Sequence, residues 1–593
     1  MKNIFSILKK DTGFSISAVS DVIKSFSFKE RLVFFSVLWI FIFSFLISVE
    51  QINKKFMVEI PDYGGSISEG IVGVPRYINP LLAISDADRD LSTLVYSGLM
   101  RVGKNGKLIP DLAEGYSVSE DGLSYSFTLK ENIYFHDGEE INADDVLFTI
   151  TKVQDPALKS PRRANWDGVL VEKINDREIT FTLPKPYAPF LENTTLGILP
   201  KHLWKDASSE QFNFSEFNTN PIGSGPYKVA DIKRNSSGIP LYYDLVPFKK
   251  FALGKAYIKK IRLMFYPNEK ELLQGLKRGE IIAVNAIQPG IAEDLKKENY
   301  FIRRTPLPRV FGLFFNQNQA PVFSDIAVRK ALKYATDKER IVSEVLRGYA
   351  TIIDSPIPPG SLAYDKIEEK GEKQKNTDTD TTGETKSALE RAEEILSKNG
   401  WKANDEDGVL EKKINGEMTR LEFSISTSDV TELKEVAKRI KEDWEKLGAK
   451  VTIKIFESND LNQNVIRPRK YDVLLFGEVV GRNSDLFAFW HSSQRNDPGL
   501  NIALYANISV DKLLDSARTI LNSDERREKY MEFKKEIAND VPAVFLYSPN
   551  FIYILPKNIR GVSFSSATVP SERFLNIHKW YIETQSVWQF FSK

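Results

Sequence analysis

The spacing of apolar and polar positions changes from one stretch of the chain to the next. Residues 123–129 (LSYSFTL), 177–183 (REITFTL) and 421–426 (LEFSIS) alternate apolar with polar side chains, which predicts half-buried strands. In residues 431–448, Leu433, Val436, Ala437, Ile440, Trp444 and Leu447 recur at intervals of three and four. That spacing predicts an amphipathic helix, with Gly448 where a carboxyl-terminal cap belongs. With residues 451–456 as the next strand, this makes a βαβ unit and predicts a parallel or mixed sheet covered by helices. Residues 108–183, by contrast, are dense in strand and turn signals such as SEDG and FHDG, which predicts an antiparallel subdomain.

One run has neither period. Residues 32–49 (LVFFSVLWIFIFSFLISV) are eighteen positions without a charge, and as a helix they would cover about 27 Å of hydrocarbon. Lys2, Lys9, Lys10, Lys24, Lys29 and Arg31 precede the run against only Asp11, Asp21 and Glu30, so residues 1–31 are expected in the cytoplasm and everything from Glu50 onward outside. The long leader, and the lack of an A-x-A-like site after the run, favour an uncleaved single-pass anchor over a cleaved signal peptide. Residues 50–63 read as a short polar linker. Residues 366–386 contain almost no apolar side chain and read as a mobile, solvated insertion.

At 593 residues the chain exceeds one hydrophobic core, which stops growing near roughly 250–300 residues, so at least two lobes are expected. A composition 42% hydrophobic and 27% charged is that of a globular protein. Lys plus Arg number 81 against 80 for Asp plus Glu, which leaves no electrostatic footprint for nucleic acid. The absence of cysteine excludes disulfides, thiolate metal sites, cysteine nucleophiles and a lipid-modified cysteine. The four histidines, His136, His202, His491 and His578, form no i, i+4 pair, so no metal site is expected.

The motifs of the common enzymes are missing: there is no Walker loop, H-E-x-x-H, G-x-S-x-G or dinucleotide glycine fingerprint. The stretch PIGSGPYKV (221–229) lacks phosphate-loop spacing and reads as a turn entering a strand. Asp86, Asp88, Asp90, Asp144 and Asp145 lack calcium-loop spacing and read as helix starts and solvated faces. The sequence therefore predicts neither an enzyme nor a cofactor. Aromatic residues beside turn glycines, in 311–316, 471–490 and 544–555, read mostly as core, with a few left to line a cleft.

From Glu69 onward a series of motifs appears in a fixed order: INP followed by LVYSGL, then P-x-LAE, S-x-DGLSYSFTL, FHDG and ADDV. PIGSGPYKV, DIAVRKALKYATDKERIVSEVLRG, RAEEILSKNGW and VPAVFLYSP follow. In this order and over residues 69–559 the chain resembles the bacterial extracellular solute-binding proteins of family 5, the peptide, dipeptide and nickel class. The resemblance implies an α/β, two-lobe clamshell of the type II periplasmic-binding-protein kind, hinged by two strands and carrying an extra subdomain. Residues 64–107, 222–308 and 546–585 would form lobe I, residues 108–221 the extra subdomain, and residues 309–545 lobe II.

The same resemblance implies a monomeric receptor that closes on a peptide or peptide-like solute and delivers it to an ABC importer permease with its ATPase. The solute would be held largely through its backbone, much like an added strand. Ligand contacts are expected from Ser68, Glu69 and Gly70, from the loop Gly477, Glu478, Val479 and Val480, and from Trp490 and Tyr547. His136, Asp137, Gly138, Gly223, Gly225, Pro226 and Tyr227 are expected to shape turns. Peptide-binding members often place an aspartate on the solute's amino terminus, and that position falls here on Val480, with Glu478 as the nearest substitute. Asp485 reads as a helix cap. Two other readings stay open, a clamshell sensor for a non-peptide solute and a secreted hydrolase.

Overall fold

Ser27 starts the first long helix, Phe28–Phe56, through a capping box: its Oγ accepts from the Glu30 N–H at 3.4 Å and its own N–H donates to the Glu30 carboxylate at 2.8 Å. None of the 29 residues of this helix is buried, so its apolar surface faces outward all round. The computed structural model describes residues 23–591 apart from 104–105, 299, 365–386, 415, 482–484 and 564–566. The insertion expected at 366–386 and most of the tail expected at 1–31 lie outside the described residues.

Residues 50–56, expected as linker, continue the helix instead, and the chain then enters strand Met57–Pro61. That strand pairs antiparallel with Thr584–Trp588 in the register Met57 to Trp588 through Pro61 to Thr584. The Phe56 ring lies parallel to the Trp588 indole, with centroids 6.3 Å apart and planes 2° apart. Residues 1–62 and 583–593 form one compact unit and residues 63–582 a second.

The second unit is built on a twelve-stranded mixed sheet. Its path runs Lys450–Phe456, Glu422–Ser428, Val473–Val479, Arg309–Phe315, Ala543–Ile554, Ala283–Asn285, Gly64–Val72, Ile258–Tyr266, Pro240–Pro247 and Tyr227–Arg234. The βαβ unit is present, with Glu422–Ser428 and Lys450–Phe456 parallel and joined by the helix Thr431–Lys446. Leu433, Val436, Ala437, Ile440 and Trp444 are its buried face, as the spacing requires. Gly448 follows with φ +92°, a conformation that costs a side-chain-bearing residue.

Strand Ala543–Ile554 is the seam of the sheet. Its first half pairs with Arg309–Phe315 and Ala350–Ile352, and its second half with Ala283–Asn285 and Ile302–Pro306. Two apolar cores gather on the side of residues 310–547 and two mainly on the side of residues 67–307 with 551–580. The chain therefore crosses between halves twice, at residues 306–309 and 547–550. The crossings are tied together, since Leu307 N–H donates to Pro549 O at 2.9 Å and Ser548 Oγ–H to Leu307 O at 2.6 Å.

Strands Ala113–Val118, Ser124–Leu129, Glu178–Thr182 and Leu170–Lys173 form a separate four-stranded sheet, antiparallel throughout. The GSGPY turn leads into strand Tyr227–Arg234. There Gly225 N–H donates to Val95 O at 2.7 Å, and a Cβ at Gly223 would sit 2.2 Å from Val95 O. These glycines let two backbones touch, and no phosphate cradle is formed. His136 locks the same turn: its N–H donates to Gly223 O at 2.7 Å, and burial pushes its imidazole down to about 4.

Candidate functional site

Ser85 caps helix Asp86–Val95, and the Asp88 carboxylate accepts from Arg76 N–H at 2.7 Å and Tyr77 N–H at 2.8 Å, so the helix start is fixed on both sides. Successive residues of a helix point about 100° apart. Arg89 and Asp90 accordingly diverge. Asp90 turns into the interior, where Arg573 grips it through two hydrogen bonds of 2.8 and 2.6 Å, while Arg89 lines a cavity of about 330 Å³.

The cavity also takes Arg162 and Trp166 from the loop after residue 158, Glu192 from helix Phe190–Asn193 and Thr195 from the loop after it, and Gly481 from the opposite half. The Arg162 loop is pinned by Ser160 Oγ–H donating to Leu81 O at 2.6 Å. On the wall, Arg101 pairs with Asp111 at 2.8 Å and donates to Leu575 O at 2.6 Å, and Asp111 Oδ1 is buried without a partner among the described residues.

Three arginines converge on this region. Arg89 Nε is buried and unbonded among the described residues, and the nearest carboxylate to its Nη1 is Asp86 at 3.7 Å. The Arg162 guanidinium is held below its ordinary value by the protein crowded around it and by the charge of Arg89, although part of the side chain remains open to solvent. Arg309, from the facing half, is lowered by burial and by Arg89, against the pull of Asp86, and its Nε is also buried and unbonded among the described residues. The cavity wall carries both signs, Arg89, Arg101 and Arg162 beside Asp111, Glu192 and Glu572. Its arginines favour an incoming carboxylate, because charge-assisted hydrogen bonds to arginine are strong and directional.

The nine residues expected from the sequence do not line this cavity. Glu69 is fully buried. It accepts from Arg573 at 2.7 and 2.9 Å, from Tyr553 Oη at 2.7 Å and from Asn285 Nδ2 at 2.9 Å, so its carboxylate is consumed by the fold. Gly70 faces Ile281 and Leu272, where a Cβ would clash, and Ser68 spends its carbonyl on the Ile282 N–H. Trp490 and Tyr547 are wholly buried: Trp490 packs among Phe314, Phe533 and Phe545, and Tyr547 stacks on Phe311 and donates to Glu432 at 3.1 Å.

Residues 477–479, expected as a loop, are instead the end of strand Val473–Val479, paired with Arg309–Phe311: Gly477 lies against the Phe311 ring, Val479 is exposed, and Val480, just after the strand, is buried with its N–H on Pro308 O. The next residue, Gly481, is the one that reaches the cavity. No sequence signal marked the arginines, because Arg89, Arg162 and Arg309 lie on three distant segments that only folding brings together.

Glu478 alternates with Leu474, Phe476 and Val480 on the face of strand Val473–Val479 that packs into an apolar core. Neither carboxyl oxygen has a partner among the described residues, and burial raises the group well above its ordinary 4.5. An acid raised in the folded state contributes fully below the unfolded value and loses that contribution as pH climbs toward the folded one. Glu478→Gln cannot ionise. It should melt with the parent at pH 4 and above it by a degree or two at pH 8, a gain of about 1–3 kcal/mol. An identical difference at both pH values would mean that the carboxyl finds a counter-charge.

Asp485 does little capping, since its contact with the Phe487 N–H is 3.4 Å long. Its other oxygen accepts from Tyr187 Oη at 3.1 Å and pairs with Arg518 at 3.1 Å. The Arg518 guanidinium lies 4.2 Å from the Phe487 ring centroid and 5.3 Å from that of Tyr187, and the Arg518 carbonyl accepts from Ala188 N–H at 2.8 Å. Tyr187 and Ala188 belong to one half and Asp485 and Arg518 to the other, so this cluster joins the two.

The model of the bacterial extracellular solute-binding proteins, family 5 middle, matches residues 107–499. The oligopeptide-binding protein AppA of Bacillus subtilis is 28% identical over 533 residues, 88% of this chain and 92% of the relative. Its structure with a nonapeptide superposes with a TM-score of 0.63 over 88% of this chain and 100% of that one. NikZ from Campylobacter jejuni, solved with Ni(L-His), is 29% identical with a TM-score of 0.65, covering 87% of this chain and 99% of that one. The ABC transporter substrate-binding protein CtaP from Listeria monocytogenes is 25% identical with a TM-score of 0.71, covering 88% and 100%. Their two-lobe α/β architecture is the one built here around the seam strand and its two crossings, and the chain belongs to the bacterial extracellular solute-binding proteins of family 5.

Proposed function

We propose that this chain captures a short peptide or peptide-like solute outside the cytoplasm and hands it, unchanged, to an ABC importer permease and its ATPase. The observation that carries this reading is the cavity shared by both halves, where Arg89 and Arg162 face an interior that also presents Asp111, Glu192 and Glu572. Walls of both signs suit a zwitterion. A volume of about 330 Å³ is at the small end of ligand cavities, roughly 300–1,000 Å³, and suits a solute of a few residues. The lobes would be residues 64–107, 222–308 and 546–585 against residues 309–545, with residues 108–221 as the extra subdomain. The receptor works as a monomer, tethered by residues 32–49 as an uncleaved single-pass anchor.

The test is a thermal-shift screen of the full chain in detergent against di- and tripeptides with free ends, with amidated carboxyl termini and with acetylated amino termini. Binding to the folded state alone raises the melting temperature by mass action, by about 2.7 kcal/mol of stability at a hundredfold excess over Kd. Free peptides should stabilise and carboxy-amidated ones should not. Stabilisation by neither, with a response to metal chelates or other anions, would replace the peptide reading with another solute.

A further inference from the structure

Strand Thr584–Trp588 runs toward the helix end, because Trp588 pairs with Met57, the residue after Phe56. The turn Gln589–Phe591 therefore begins on the helix side of the last strand pair. Trp588 exposes 45% of its surface and Phe590 87%, beside Phe56 at 47% and Ile52 at 53%. Four large apolar side chains thus stand open at the same end of one ribbon, in a segment that carries Lys54 and Lys55 in the last helical turn.

Phe56 follows Val49 by seven residues, about 10 Å along a helix axis. A bilayer is about 30 Å of hydrocarbon within roughly 40–45 Å overall, about 5–7.5 Å of headgroups on each side, so Phe56 lies a few ångströms past their outer edge and the turn on the helix side of Trp588 lies nearer to them. Tryptophan is enriched at that depth, and lysine stems there keep the ammonium in water or on anionic headgroups. We infer that Trp588 and Phe590 rest in the outer headgroup layer of the membrane, so that the carboxyl terminus is a second, peripheral membrane contact beside the amino-terminal helix. The occupant of this apolar surface is lipid: it is continuous with a helix whose apolar side chains are exposed all round, and it sits where that helix leaves the hydrocarbon. The inference rests on the reading of residues 32–49 as a membrane span.

The chain has no cysteine, so single labelling sites can be introduced without background. Nitroxides at Phe590→Cys, at Gln589→Cys (which keeps the Phe590 ring), at Phe43→Cys in the helix and at Phe214→Cys, an exposed position of the 63–582 unit, would be compared in the full chain. The protein is reconstituted in phosphatidylcholine vesicles with a fraction of phosphatidylglycerol, and collision rates with oxygen and with a water-soluble nickel chelate are read by electron paramagnetic resonance. Labels at 589 and 590 should meet the chelate several-fold less often than the label at 214, and oxygen more often, with the label at 43 deeper still. A lipid-protected label at 43 with labels at both 589 and 590 as accessible to chelate as that at 214 overturns the peripheral contact alone. A water-accessible label at 43 removes the anchor reading and this inference with it.

Discussion

Replacing Arg573 with methionine is expected to destabilise the protein by about 3–5 kcal/mol, the scale for removing one partner of a buried ion pair. The guanidinium is fully buried and makes five contacts at once: Nε and Nη2 reach Glu69, Nη1 and Nη2 reach Asp90, and Nη1 reaches Pro570 O. Without it two carboxylates, Glu69 at 0% and Asp90 at 0% exposure, remain in the interior with no cation. The loss appears in a thermal melt as a fall of about 3–4 °C, because a chain of 593 residues unfolds with an entropy of roughly 1.2 kcal/mol/K. Adding Glu69→Gln and Asp90→Asn to the same variant should restore a good part, since the stranded charges are then gone, and that non-additivity separates charge from packing. A melting temperature for Arg573→Met within a degree of the parent would show that the triad holds nothing together.

Arg89→Gln combined with Arg162→Gln is expected to weaken binding of the best free peptide from the screen by at least about a hundredfold. A hydrogen bond to a charged group contributes about 1.5–3 kcal/mol, or roughly 10- to 100-fold, and two are removed. The unliganded variant should melt no lower than the parent, because Arg89 and Arg162 repel one another and neither holds a buried carboxylate as Arg573 does. Isothermal titration gives the affinity and the melt gives the control. Unchanged affinity with unchanged stability would place the solute's carboxylate elsewhere, and lost affinity with lost stability would make the arginines part of the scaffold.

What could be read from the sequence was what repeats over short distances. The charge-free run at 32–49, the three-and-four spacing from Leu433 to Leu447 and the alternation at 123–129 each report an environment that neighbouring residues share. They located the long apolar helix, the βαβ unit and the antiparallel sheet. The site was less legible. Glu69 and Arg573 are 504 positions apart, and nothing local distinguishes a carboxylate that binds solute from one that binds a distant arginine. The motif at Glu69 was visible, but not the partners, Arg573, Tyr553 and Asn285, that engage its carboxylate. Strand Thr584–Trp588 escaped notice because TQSVW is short and mostly polar, and its pairing with residues 57–61 spans nearly the whole chain.

Tyr187, Asp485 and Arg518 are not among the residues that line the cavity, so the free energy their contact lends to closure is the same for a filled and an empty receptor. Apparent affinity scales with the fraction of molecules already in the binding-competent form. While closed molecules are rare, each tenfold rise in their number, about 1.4 kcal/mol of added contact, tightens apparent binding tenfold. Once closed molecules predominate the gain stops. Any further strengthening only multiplies empty receptors that present a loaded face to the permease. The strength of this one contact therefore sets an exchange rate between sensitivity to scarce solute and wasted transport cycles.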